Sequence, residues 1–418
     1  MMSPVDQADQ NDPQDMIRTH LAALKRAGLQ RRLRHLGGAP GPRINVDGRS
    51  VLLLCSNNYL GLATDDRLKQ AAQAAISTYG CGATGSRLIS GNLEPYERLE
   101  LDLAAFKGTE SSLIFPSGYQ ANVGTVAALV GSRDVIFSDA LNHASLIDGS
   151  RQSRAEMVTY NHCDPEDLEA KLKTHAAARR KLILTESVFS MDGDLAPLRE
   201  ICFLAKKYSA LLLVDEAHAT GIFGPNGAGL VSEYGLQPNV DIQMGTFSKA
   251  LGSLGGYVAA SREIIDYLLH RARSLIFSTG LPPAVLAASK AALQIVLEEP
   301  QRRLALWENV AHLRDGLARM GFDTSLSQSQ ILPVRLGDAQ RTMAASRFLL
   351  HKGVFVQGVR PPTVPLGTAR LRISPMAIHS EDDISTALTA LESLQFALRQ
   401  REKRLQQKSS LVPASENS

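Results

Sequence analysis

Between residues 111 and 261 the chain alternates short apolar runs with longer stretches of helical spacing. The runs SLIF (112–115), DVIFSD (134–139), KLILTES (181–187), LLLVDEAH (211–218), DIQMGT (241–246) and YVAAS (257–261) show no strict polar–apolar alternation. Such runs suit strands covered on both faces of a mostly parallel sheet. Helical spacing predicts helices over 68–79, 96–107, 119–130 and 196–208, and the alternation of the two defines an α/β fold. Upstream, residues 16–35 read as a basic amphipathic helix and 51–55 as a short strand. Beyond LPP (281–283), long helices over 284–298 and 301–320 lead into strands at ILPVRL (331–336) and ARLRIS (369–374). The expected organisation is a disordered leader over 1–15, an N-terminal helix and strand segment over 16–60, and a large α/β domain over 61–290. A smaller α+β domain over 291–398 and a charged, disordered tail over 399–418 complete it.

Composition narrows the function classes. The 418 residues exceed one simple core. A net charge of +3 is small for that length, so neither nucleic acid nor a membrane is an expected partner. The basic stretch KRAGLQRRLRH (25–35) is too short, and has no helix-turn-helix partner, to change that. No apolar run reaches membrane-spanning length. The leader is polar and carries acids without Lys or Arg, unlike a signal peptide; the expected location is the cytoplasm. Cys55, Cys81, Cys163 and Cys202 form no C-x-x-C pair, which argues against a disulfide framework and against a zinc site; no metal is expected. GCGATG (80–85) fits a dinucleotide-binding spacing, but a helical stretch precedes it where that motif needs a strand.

Candidate chemistry gathers at the carboxyl ends of the predicted strands, where open α/β sheets bind ligands. Asp215 and His218 follow LLLV, Glu186 and Ser190 follow KLILT, Asp139 and His143 follow DVIFS, and Lys249 follows DIQMGT. Ser117 and Gly118 open a helix after SLIF. Singly, these are ordinary turn caps, loop histidines or a snorkelling lysine. Together they describe one ligand. A helix N-terminus at Gly118 and Tyr119 suits a phosphate. An acid can hold a heteroaromatic nitrogen protonated, and a lysine shielded from water can bond an aldehyde. Pyridoxal 5′-phosphate needs those three groups.

Eight motifs carry a resemblance that runs in order over nearly the whole chain after residue 20. They are SNNYLGL (56–62), GCGATGSRLISGN (80–92), PSGYQAN (116–122), LNHASLIDG (141–149), TESVFSMDGDLAPL (185–198), VDEAHATG (214–221), TFSKALGSLGG (246–256) and FSTGLPP (277–283). The chain resembles the α-oxoamine synthases, fold-type I pyridoxal-phosphate enzymes that condense an amino acid with an acyl thioester. VRPPTVPLGTARLRIS (359–374) is similar to the biotin-pathway branch, which joins L-alanine to a pimeloyl group carried by CoA or acyl carrier protein. The resemblance implies that Lys249 bonds the cofactor aldehyde, Asp215 pairs with the ring nitrogen and His143 stacks on the ring. His218 and Ser190 reach its edge, while Gly118, Tyr119 and Thr246 hold the phosphate. Asn57 and Arg372 address the amino acid, and Arg31 and Thr363 lie toward the acyl substrate. Thr279 reaches the phosphate of a neighbouring subunit, which implies a homodimer with active sites at the subunit interface.

Overall fold

The computed structural model describes residues 13–324 and 326–410. Its centre is a seven-stranded sheet. From edge to edge the strands are Ser111–Phe115, Gly256–Ala260, Ile242–Thr246, Leu211–Asp215, Lys181–Glu186, Val135–Asp139 and Glu156–Tyr160. Only Gly256–Ala260 runs against its neighbours; the others pair in parallel or share that direction. Every residue of Val135–Asp139, Lys181–Glu186 and Ile242–Thr246 is buried, so the apolar runs lack alternation because helices cover both faces. The edge strand Glu156–Tyr160 escapes the pattern: three of its five residues are exposed, and its sequence EMVTY is correspondingly polar.

The C-terminal part carries a three-stranded antiparallel sheet in the order Leu332–Gly337, Ala369–Ile373, Gln357–Val359. A third sheet joins the two ends of the chain. Its hairpin Arg43–Val46 and Arg49–Leu53 pairs in parallel with Val354–Phe355. The boundary expected near 290 falls within the helix Pro283–Glu298, which packs against Asp66–Tyr79.

Two expectations need correction. The predicted helix over 16–35 is the helix Pro13–Arg26, because Gly28 takes a φ of 67° that only glycine adopts readily and so ends it. Residues 29–35 carry no regular structure. The expected leader thus contributes its last residues to that helix, and 1–12 lie outside the described residues. The charged tail is helical as far as Ser410. Arg399 there donates to the Met320 carbonyl at 2.9 Å, and Glu402 pairs with Arg341, so partners across the surface fix its course; 411–418 lie outside the described residues.

Candidate active site

The strand ends converge on a cavity of about 230 Å3. Gly118, His143, Asp215, His218, Thr246 and Lys249 line it, together with Tyr119. Each arrives on a local device of the fold. Ser117 caps the helix Gly118–Leu129 by accepting from the Gln120 amide, which leaves the first N–H groups of that helix at the cavity wall. A side chain at Gly118 would press on Met244 and Thr246. His143 caps the helix Ala144–Ser153 through Nδ1, which lies 2.7 Å from the Ser145 hydroxyl. Lys249 sits in the turn after Ile242–Thr246. Gly252 closes that turn at a φ of 62°, where a Cβ would collide with the Ala63 backbone.

Asp215 is held at both oxygens. Oδ2 accepts from the Asn122 amide at 2.7 Å and Oδ1 from the Ala217 N–H at 2.9 Å. The second cavity carboxyl behaves differently: burial pushes Glu186 well above the ordinary carboxyl value, and the charge of Asp215 adds to the effect. Burial thus favours the protonated form of Glu186. Its Oε1, like Asn122 Oδ1, is buried without a protein partner. Buried acceptors of that kind on a cavity wall fit a bound polar ligand.

A hydrogen-bonded chain runs away from Lys249. Nζ lies 2.7 Å from His218 Nε2, and His218 Nδ1 lies 2.7 Å from the Tyr59 hydroxyl. Burial, with the charges of Lys249 and Arg372, holds His218 well below the ordinary imidazole value, so the ring is neutral. Lys249 then donates to Nε2, Nδ1–H donates to the Tyr59 oxygen, and Tyr59 donates to Asn57 Oδ1 at 3.0 Å. Arg372 closes the chain, donating to Asn57 Oδ1, the Tyr59 oxygen and the Ser190 carbonyl at 3.1, 3.3 and 2.7 Å. Burial brings Lys249 itself down to about 8, against the pull of Asp215 and Glu186. Burial also lowers His143, with Asp215 opposing and Lys249 reinforcing the shift.

Other expected site residues are committed to protein partners or lie elsewhere. Thr246 lines the cavity, yet its hydroxyl already bonds Ser248 and the Gly255 carbonyl. Tyr119 donates its hydroxyl to Asp148 at 2.6 Å, leaving its backbone as the group at the helix start. Ser190 and Thr363 line a separate cavity of about 140 Å3. Arg31 is exposed on the irregular segment before the first hairpin and lines neither cavity. Thr279 is exposed, bridged to Ser86, and also lines neither. The glycine-rich loop GCGATG follows the helix Asp66–Tyr79, and its Gly85 carbonyl accepts from Gly280; no strand precedes it. Asn122, Tyr59 and Ser145 were not singled out from sequence, although all three stand inside or beside the quoted motifs. Asp139, His162 and Cys163 place their donor atoms within 4.8 Å of one another. Despite burial, hydrogen bonds to Asp139 and Asp194 push His162 up to about 12, so the ring is a protonated clasp between two loops.

A lysine at a strand end, an anchored carboxylate and a helix N-terminus around one cavity are the groups of a fold-type I pyridoxal-phosphate transferase. Residues 49–391 match the model of the aminotransferase class I and II family, and the chain belongs to that family. Within it, the chain is 51% identical to the 8-amino-7-oxononanoate synthase of Geobacter metallireducens, over 90% of this chain and 96% of that protein. It is also similar to the solved serine palmitoyltransferase of Sphingomonas wittichii, with a TM-score of 0.88 and 35% identity over 93% of this chain and 99% of the other. A structure of SPT with a PLP internal aldimine matches with a TM-score of 0.88 and 34% identity, over 93% and 99% of the two chains.

Proposed function

We propose that this protein condenses L-alanine with a pimeloyl thioester, releasing carbon dioxide and the free thiol, to form 8-amino-7-oxononanoate in biotin synthesis. The placement of Lys249 carries the reading: a primary amine at a strand end, brought to about 8 by burial, facing an anchored carboxylate. The 51% identity to an 8-amino-7-oxononanoate synthase supports the choice of substrates. Pyridoxal 5′-phosphate, when bound, supplies an electron sink for charge that develops at the α-carbon of the amino acid. Lys249 would hold its aldehyde carbon, Asp215 its ring nitrogen and His143 its face. The backbone at Gly118 and Tyr119, with Thr246, would hold its phosphate.

This chain's residues divide the remaining work. Arg372 binds the carboxylate of L-alanine, oriented by Asn57 and Tyr59. Nζ of Lys249, once free, removes the α-proton and later returns it, with His218 accepting a hydrogen bond from Nζ. His143 donates to the reacting carbonyl or carboxylate. Glu186, whose protonated form is favoured by burial, lines the same cavity as Asp215. Thr363 and Ser190, which line one cavity, face the acyl donor, carried by CoA or by acyl carrier protein. We further propose a cytoplasmic homodimer in which Thr279 serves the partner's site; its exposure, away from its own cavity, supports that reading. Among the described residues no helix is long and apolar enough to cross a membrane.

The test is to load the protein with pyridoxal phosphate, reduce it with borohydride and map the labelled peptide. Label on Lys249 is expected, and Lys249→Ala should lose both label and turnover. Label on another lysine, or near wild-type turnover of Lys249→Ala, overturns the assignment.

A further inference from the structure

The cavity that holds Ser190 and Thr363 has a wall of Leu141, Phe189, Met191 and Val364. Arg372, at the end of the hydrogen-bonded chain from Lys249, reaches its wall. The Ser190 carbonyl accepts from Arg372 at 2.7 Å, and Leu141 precedes His143 by two positions. Its other wall is charged. Arg335 and Arg370 are direct partners in the antiparallel ladder of the small sheet. Like charges placed opposite one another oppose pairing of the strands, so something must hold them there.

Asp192 does so in part. Its Oδ1 accepts from both guanidinium groups, and despite burial they hold its carboxyl below the ordinary value. Asp192 is therefore an anion at neutral pH, and among the described residues it is the one acidic group lining this cavity. Two cations against one anion leave a net positive charge. Arg370 is buried and spends its Nε on the Thr368 carbonyl. Arg335 is 44% exposed at its side chain, and the hydrogen bond drawn for it uses one terminal nitrogen. Arg335 lines this cavity, and the N–H groups it does not spend on Asp192 suit a planar oxyanion.

We propose that this cavity seats the far end of the acyl chain, with Arg335 binding the free carboxylate that distinguishes a pimeloyl group from a monocarboxylic chain of the same length. The apolar wall takes the methylenes, and the carboxylate meets the excess cation. The inference rests on the function proposed above and names the residue that would select its acyl donor. A phosphate of the carrier is the other anion this site would accept.

The test compares kcat/KM for pimeloyl-CoA and heptanoyl-CoA, with L-alanine, in the wild-type holoenzyme and in Arg335→Gln and Arg335→Lys. The wild type should prefer pimeloyl-CoA, and Arg335→Gln should shrink that preference by about tenfold, the low end for a charge-assisted bond at a half-exposed site. Arg335→Lys, which keeps the charge and loses the fork, should retain part of the preference. An unchanged ratio in Arg335→Gln overturns the proposal. So does an equal loss with both acyl groups, which assigns Arg335 to a carrier phosphate. Equal use of both donors by the wild type overturns this inference alone; turnover of neither, and none with pimeloyl acyl carrier protein, overturns the parent function along with it.

Discussion

Replacing Tyr59 with phenylalanine removes one oxygen from the middle of the chain that links Lys249 to Arg372. Tyr59 is fully buried, and its hydroxyl bonds Asn57 Oδ1, His218 Nδ1 and Arg372 Nη2, with the Gln330 side chain also beside it. Two of them keep other partners. Asn57 Oδ1 still accepts from Arg372 Nη1, and Arg372 still donates to Ser190 and Ser374. His218 Nδ1 keeps none, and moving its proton to Nε2 would only exchange an orphaned donor for an orphaned acceptor. One buried neutral group left without a partner costs about 1–3 kcal/mol. Equilibrium urea denaturation of Tyr59→Phe, at fixed protein and cofactor concentration, should show a loss in that range. Arg372, freed on one side, should raise KM for L-alanine more than it lowers kcat. A stability change under about 0.5 kcal/mol with an unaltered KM would refute the hydrogen-bond assignment.

Other consequences are as direct. The depressed value of Lys249, about 8, leaves about one amine in ten neutral at pH 7, against about one in 2,500 for an ordinary lysine. Uptake of pyridoxal phosphate by the cofactor-free protein should rise with pH and level off just above 8; a plateau only near 10.4 contradicts the shift. The unfolded chain also binds more protons than the folded one between those two values, so stability of the cofactor-free protein should rise with pH across that window. Asp215→Asn must turn an NH2 toward either the Asn122 amide or the Ala217 N–H. Its turnover should fall more than about tenfold, or ~1.4 kcal/mol, and a smaller loss denies Asp215 its role. Lys107→Met strands Glu216, both groups being fully buried in one ion pair, and should cost about 3–5 kcal/mol by urea denaturation; under ~1 kcal/mol the pair is not holding the fold.

Much of the architecture could be read because burial leaves a mark on composition. A strand covered on both faces must be apolar throughout, so Val135–Asp139 and Ile242–Thr246 were visible, while Glu156–Tyr160 at the sheet edge was not. Lys249, Asp215 and His143 each read singly as an ordinary cap or loop residue; they could be grouped only because each follows the end of an apolar strand, and the structure sets all three on one cavity. Tyr59, Asn122 and the pair of Arg335 with Asp192 were hidden for the opposite reason. Each acts through a partner far along the chain, as with Asn122 to Asp215 or Asp192 to Arg370, and no local pattern marks a contact made by tertiary packing. The helix over 16–35 was drawn too long because amphipathic spacing continues past Gly28, where the backbone turns left-handed.

The central claim is the reaction itself. Thiol release and product mass should be measured with purified holoenzyme, L-alanine, glycine or serine, and acyl-CoAs that include pimeloyl-CoA, with pimeloyl acyl carrier protein in parallel. The account predicts turnover with L-alanine and a pimeloyl donor and a product with the mass of 8-amino-7-oxononanoate. Turnover confined to glycine or serine with other acyl donors would contradict it.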